Sequence, residues 1–170
     1  LLLHEGTHGC MATLLGGCGP GWFMEGTAEL LATHRWDPSK SELELRIMRR
    51  NRREVPMLGR IKLIRDAFAE DRALALAAVL QLDNRQRLDN EAYAWCWAAC
   101  MFLDTHHKTQ KAFREMQKHA RLPDVDFNRR FLEMVAEDWN RIANEQWFLY
   151  VQHMEYGSDP LAAIVKYEDG

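Results

Sequence analysis

The chain has 170 residues, 47% of them apolar and 28% charged, enough to bury one ordinary core and within the size of a single domain. Its 22 basic and 25 acidic residues leave a formal charge of −3, so no global field points to nucleic acid or to an anionic membrane. No stretch reaches the roughly 18 to 20 apolar residues of a membrane span.

The chain opens on Leu1-Leu2-Leu3, directly ahead of a motif, and reads as a fragment of a longer protein. Helical spacing predicts a first helix from the chain start to about Leu15, stopped by Gly16-Gly17, where glycine accepts the left-handed cap conformation. The turn GGCGPG reverses the chain, and a second helix is predicted from Trp22 to Trp36, closed by Asp37-Pro38. From Ser41 to Ile47 polar and apolar residues alternate with period two, the pattern of a short strand or extended segment.

After Pro56, apolar residues return at helical spacing over Leu58 to Phe68 and again over Leu74 to Leu80, predicting two helices. Asp89-Asn90-Glu91 offers capping side chains ahead of the apolar run Tyr93 to Leu103, which predicts a central buried helix. Further helices are expected over Lys108 to Arg121, from Asp124 or Asp126 toward Ala136, and over Asp138 to Tyr156. One mostly α-helical domain over 1–170 is the economical reading, with no internal repeat or linker.

The chemistry sits at the start. In HEGTH, His4 and His8 are four residues apart, so on a helix their rings share a face and can converge on one ion. A catalytic zinc site needs three protein ligands and one open position. Glu5, beside the first ligand, is placed to take a proton from water in that open position. The third ligand must come from another segment, and Glu25 in WFMEGTAELLATH is the best placed, because an antiparallel helix pair would bring it back to the histidines. Glu29, one turn further on the same face, can accept a hydrogen bond from the non-ligating nitrogen of a ligand histidine. The competing reading is an incidental pair of helix histidines with solvated or capping carboxylates nearby.

HEGTH followed by GPGWFMEGTAELLA resembles the gluzincin metallopeptidases, in particular the bacterial peptidase MA-like group, whose motif joins H-E-x-x-H to a later W-x-x-E-G-x-A-E. The resemblance covers about Leu1 to Trp36. It implies a zinc-dependent peptidase with ligands His4, His8 and Glu25, base Glu5 and supporting carboxylate Glu29, acting on a peptide or protein. It also implies a zincin-like fold, of which this chain is the helical C-terminal half without the β-rich lobe, and it favours an extracytoplasmic location. Such enzymes often use a Tyr or His from a later helix to stabilise an oxyanion, and Tyr93 is the candidate.

Other features have plainer readings. Arg46, Arg49, Arg50, Arg52 and Arg53 can contact an acidic partner, a phosphate or a nucleic-acid backbone, but a solvated loop is the simpler account. With only Trp36 and Phe68 anywhere near it, the cluster offers no stacking platform for bases, and nucleic acid is not expected as a partner. Cys96 and Cys100 read as small buried hydrophobes, Trp95, Trp97, Trp139 and Trp147 as packing residues, and His106 and His107 as the end of the apolar helix. A bridge between Cys10 and Cys18 stays open. Besides a peptidase, the chain is consistent with a non-catalytic module that keeps the site of a peptidase ancestor.

Overall fold

Residues 2–48, 50–54, 59–83, 88–157, 159, 162 and 164 are described by a computed structural model, and they are mostly helical. Arg49 of the arginine cluster, Leu1 of the first helix and Leu58 of the third lie outside these residues. Helix α1 (Leu2–Cys10) runs on through a π turn, Met11–Leu15, and stops at Gly16, whose φ of 71° is the left-handed cap expected there. Gly17 has a different reason to be glycine. A Cβ on it would lie 2.4 Å from the Ala120 carbonyl oxygen, so only glycine lets this turn seat against the Ala120-Arg121 backbone. Arg121 Nε then donates to the Leu15 carbonyl over 2.9 Å, satisfying one orphan acceptor at the helix end.

Helix α2 (Gly21–Ala32) is buried along most of its length, and it packs between α1 and the central helix α5 (Asn90–Thr105). The predicted cap is present: Asp89 accepts from the Ala92 N–H at 2.8 Å. Gly26 lets α2 and α5 meet, since a Cβ there would sit 2.4 Å from both Cys100 Sγ and the Cys96 carbonyl oxygen. Around this contact Trp22, Phe23, Trp95, Phe102, Phe127, Phe131 and Trp147 form the aromatic part of the core, each at most 1% exposed.

The second helix ends at Ala32, short of the expected Trp36. Thr33 turns to extended backbone with its N–H and hydroxyl both on the Leu30 carbonyl, and the chain enters strand β1 (His34–Asp37). What overrode the helix is a pairing partner. The period-two segment forms β2 (Glu42–Leu45), antiparallel to β1 with Trp36 opposite Leu43 and Arg35 opposite Glu44.

Helix α3 (Arg60–Ala69) follows the expected spacing, but Leu74 to Leu80 yields only one turn, α4 (Leu76–Val79). The carbonyls around that turn are taken by tertiary donors: Leu74 by Trp147 Nε1, Leu80 by Asn128 Nδ2, and Leu82 by the Trp22 N–H. The expected 108–121 helix starts late, at α6 (Gln110–Glu115), because Thr109 folds its hydroxyl back on the Leu103 carbonyl; a 3-10 turn, Met116–His119, completes it. Helix α7 (Asp124–Met134) starts behind Pro123, so Asp126 lies inside its first turn. The last expected helix is α8 (Trp139–Arg141), a π segment Ile142–Gln146 and α9 (Trp147–Gln152), which stops before Tyr156 as the His153 ring turns back on the Leu149 carbonyl.

The bland readings of the cysteines and tryptophans agree with the packing. Cys96 and Cys100 are buried and all four thiols are free, so Cys10 and Cys18 are not bridged. Trp95, Trp97 and Trp147 are core residues, and Trp139 packs edge-on against Phe131. His106 is buried and stacked on His107 beside Phe102. Arg46 is not a freely solvated loop residue: with φ of 59° it reaches over to buried Asp104, which also accepts from Arg114. The second donor set explains why an acid is tolerated near the end of an apolar helix.

Candidate metal centre

Folding back through the Gly16–Pro20 turn lays α2 alongside α1, and the order of contacts follows from that reversal. His8, nearer the turn, meets Glu25, while His4, one helical turn earlier, meets both Glu25 and Glu29. Three atoms converge: His4 Nε2 and His8 Nε2 are 3.1 Å apart, and Glu25 Oε2 lies 3.4 Å from the first and 3.3 Å from the second. A tetrahedron with zinc bonds of about 2.0 to 2.1 Å has an edge of about 3.3 Å, so the three atoms stand at the separations of three corners. Glu25 Oε2 is buried and has no hydrogen-bond partner of its own, an expense that an ion would offset. Among the described residues this is the cluster of His, Cys, Asp and Glu side chains able to hold a metal.

The electrostatics favour a neutral His4. Burial first, and then the neighbouring His8, hold His4 below the ordinary imidazole range against the opposing pull of Glu25 and Glu5, so its ring is unprotonated on one nitrogen at neutral pH. His4 Nδ1 stands 2.9 Å from Glu29 Oε1, so a carboxylate backs the ring while Nε2 faces the cluster. Glu5 is exposed beside the centre, and its charge is felt at both His4 and Tyr93. Tyr93, in the first turns of α5, places its ring 6.3 Å from that of His4. Burial, followed by the charge of Glu25, raises its phenol above the ordinary range, so the hydroxyl keeps its proton and can donate.

Of the residues singled out from the sequence, His4, His8, Glu25 and Glu29 come into contact, the Tyr93 ring borders His4, and Glu5 is near enough for its charge to be felt there. The structure adds Arg60, at the start of α3, whose guanidinium pairs with Glu29 Oε2. Nothing in the sequence flagged it: MLGRIKL carries no motif, and the pairing exists only because α3 lies against the α2–α5 layer. Cys18 and Cys96 also lie near enough to feel Glu25, yet burial is the main effect on both and pushes their thiols up, Cys96 to about 12. Neither belongs to the converging cluster, which is His4, His8 and Glu25. A separate groove between α7 and the segment after α4, lined by Pro20, Leu80, Leu82, Val125 and Leu132, contains none of the cluster residues. No family model, curated protein or solved structure matches the chain.

Proposed function

We propose that the chain is the helical part of a zinc-dependent peptidase of gluzincin type, with His4, His8 and Glu25 as metal ligands. The observation that carries the reading is the triangle of two Nε2 atoms and one carboxylate oxygen, 3.1 to 3.4 Å on a side, with an acid beside it. Two nitrogens and one oxygen suit zinc, and three ligands leave the open position that a catalytic rather than a structural site requires. When bound, zinc supplies Lewis acidity, which polarises a substrate carbonyl and acidifies water.

The remaining chemistry belongs to the chain. Glu5, exposed at the centre, accepts the proton of the attacking water and later returns it to the leaving amine. Tyr93 donates a hydrogen bond from its hydroxyl to the oxygen that becomes negative as the carbonyl is attacked, and keeps its proton. Glu29 holds the His4 ring in one tautomer. A peptide or protein is the substrate this combination fits.

Metal content and peptide hydrolysis in the full-length protein, compared with Glu5→Gln, test the reading. Stoichiometric zinc in both, with hydrolysis lowered about 10²- to 10⁴-fold in the variant, is the expected result. Full hydrolysis by Glu5→Gln, or no zinc in either protein, would overturn it. Zinc binding without cleavage of any peptide in a broad library would instead favour a non-catalytic module.

A further inference from the structure

A histidine ligand must present one particular nitrogen, and its own helix does not choose which. For His4 the group placed to influence that choice is Glu29, whose Oε1 sits 2.9 Å from Nδ1. A carboxylate held at one oxygen can still swing about its last torsion, and Glu29 is on α2 while His4 is on α1, so each helix could drift relative to the other. The second carboxylate oxygen is taken by Arg60, from a third helix. Glu29 is buried, and Arg60 reaches it with a side chain that is 31% exposed.

We propose that Arg60 is a positioning residue for this centre: by clamping Glu29 it locks the carboxylate onto His4 Nδ1 and so aims His4 Nε2 at His8 and Glu25. This rests on the metal-site reading above. The guanidinium pairs with Glu29, and although its charge is also felt at His4, its hold on the ring's orientation runs through that carboxylate. One guanidinium nitrogen meets Glu29 Oε2, which holds that oxygen and neutralises its charge.

The alternative is that Arg60 merely ties α3 to α2. The two differ in what happens at the His4 ring. Nitrogen-15 NMR of the imidazoles in metal-free protein reads the tautomer directly, and competition with a chromogenic chelator reads zinc affinity. Wild type is expected to show His4 protonated on Nδ1, and Arg60→Met a mixture of tautomers with zinc affinity lower by about 10- to 100-fold. Arg60→Lys, which keeps the charge without the guanidinium, is expected to restore part of both. In a Glu29→Gln background Arg60→Met should cost nothing further, because the shared path is already cut.

An Arg60→Met protein with the wild-type tautomer and affinity overturns the proposal, as does a full additional loss in the Glu29→Gln background. If Arg60→Met does not fold, Arg60→Gln takes its place with the same readouts. Failure of wild type to bind zinc would sink the metal reading, whereas the tautomer measurement in metal-free protein judges Arg60 independently.

Discussion

Three helical glycines should respond in opposite directions to the same substitution. Gly6, Gly9 and Gly26 all lie inside helices with ordinary negative φ, so by propensity alone alanine should stabilise each by about 0.8 to 1.0 kcal/mol. At Gly6 and Gly9 a Cβ meets nothing within 4 Å, and that gain should be realised. At Gly26 the Cβ would stand 2.4 Å from the Cys96 carbonyl oxygen and 2.4 Å from Cys100 Sγ. The first is backbone, which cannot rotate away. Restoring ordinary contact requires α2 and α5 to part by about 1 Å, a strain of about 1 to 3 kcal/mol with the upper end expected for a backbone obstacle. Net of propensity, Gly26→Ala should cost about 1 to 2 kcal/mol. With a urea m-value of about 2 kcal/mol/M, the unfolding midpoint falls by about 0.5 to 1 M, against a rise of about 0.4 to 0.5 M for Gly6→Ala or Gly9→Ala. Because Glu25 and Glu29 flank the strained contact on α2, zinc affinity should fall in Gly26→Ala as well. A Gly26→Ala protein as stable as wild type would refute the claim that the α2–α5 spacing forbids a side chain.

His8→Ala should abolish stoichiometric zinc binding in equilibrium dialysis while leaving far-UV circular dichroism intact, since the His8 ring adds little to the core; retained zinc would remove it from the ligand set. Asn128→Ala strands buried Trp22 Nε1 and the Leu80 carbonyl together and should lower stability by about 2 to 4 kcal/mol in urea melts. In the native protein a maleimide reagent at pH 8 should label exposed Cys10 and spare buried Cys96 and Cys100, which mass spectrometry would show; labelling of the latter pair before unfolding would contradict their packing. Because burial lifts the folded-state Cys96 thiol to about 12 from an ordinary value of 9.0, unfolding releases its proton at alkaline pH. Stability should therefore be intact below pH 9 and decline as the pH rises toward 12, at up to about 1.4 kcal/mol per unit for this group, and less steeply in Cys96→Ala.

Local features were legible in the chain itself. The stop at Gly16, the Asp89 cap, the period-two strand and the apolar run of α5 all follow from short-range backbone and hydrophobic physics, and the spacing of His4, Glu5 and His8 needs only the pitch of a helix. Even Glu25 and Glu29 could be assigned to the same face as the histidines once the chain was seen to reverse at GGCGPG. Other features depend on partners remote in sequence. The helix after Trp22 yields to a strand at His34 because β2 offers it a ladder, and the turn at α4 is cut short because Trp22, Asn128 and Trp147 claim the surrounding carbonyls. The same holds at the centre: spacing nominates ligands, but only the seating of α2 against α1 sets three donor atoms 3.1 to 3.4 Å apart, and only the approach of α3 supplies Arg60. The sequence by itself determined which groups could bind and on which face they stand; the tertiary structure decided their distances and who holds them, because those are set by contacts between helices that no local pattern encodes.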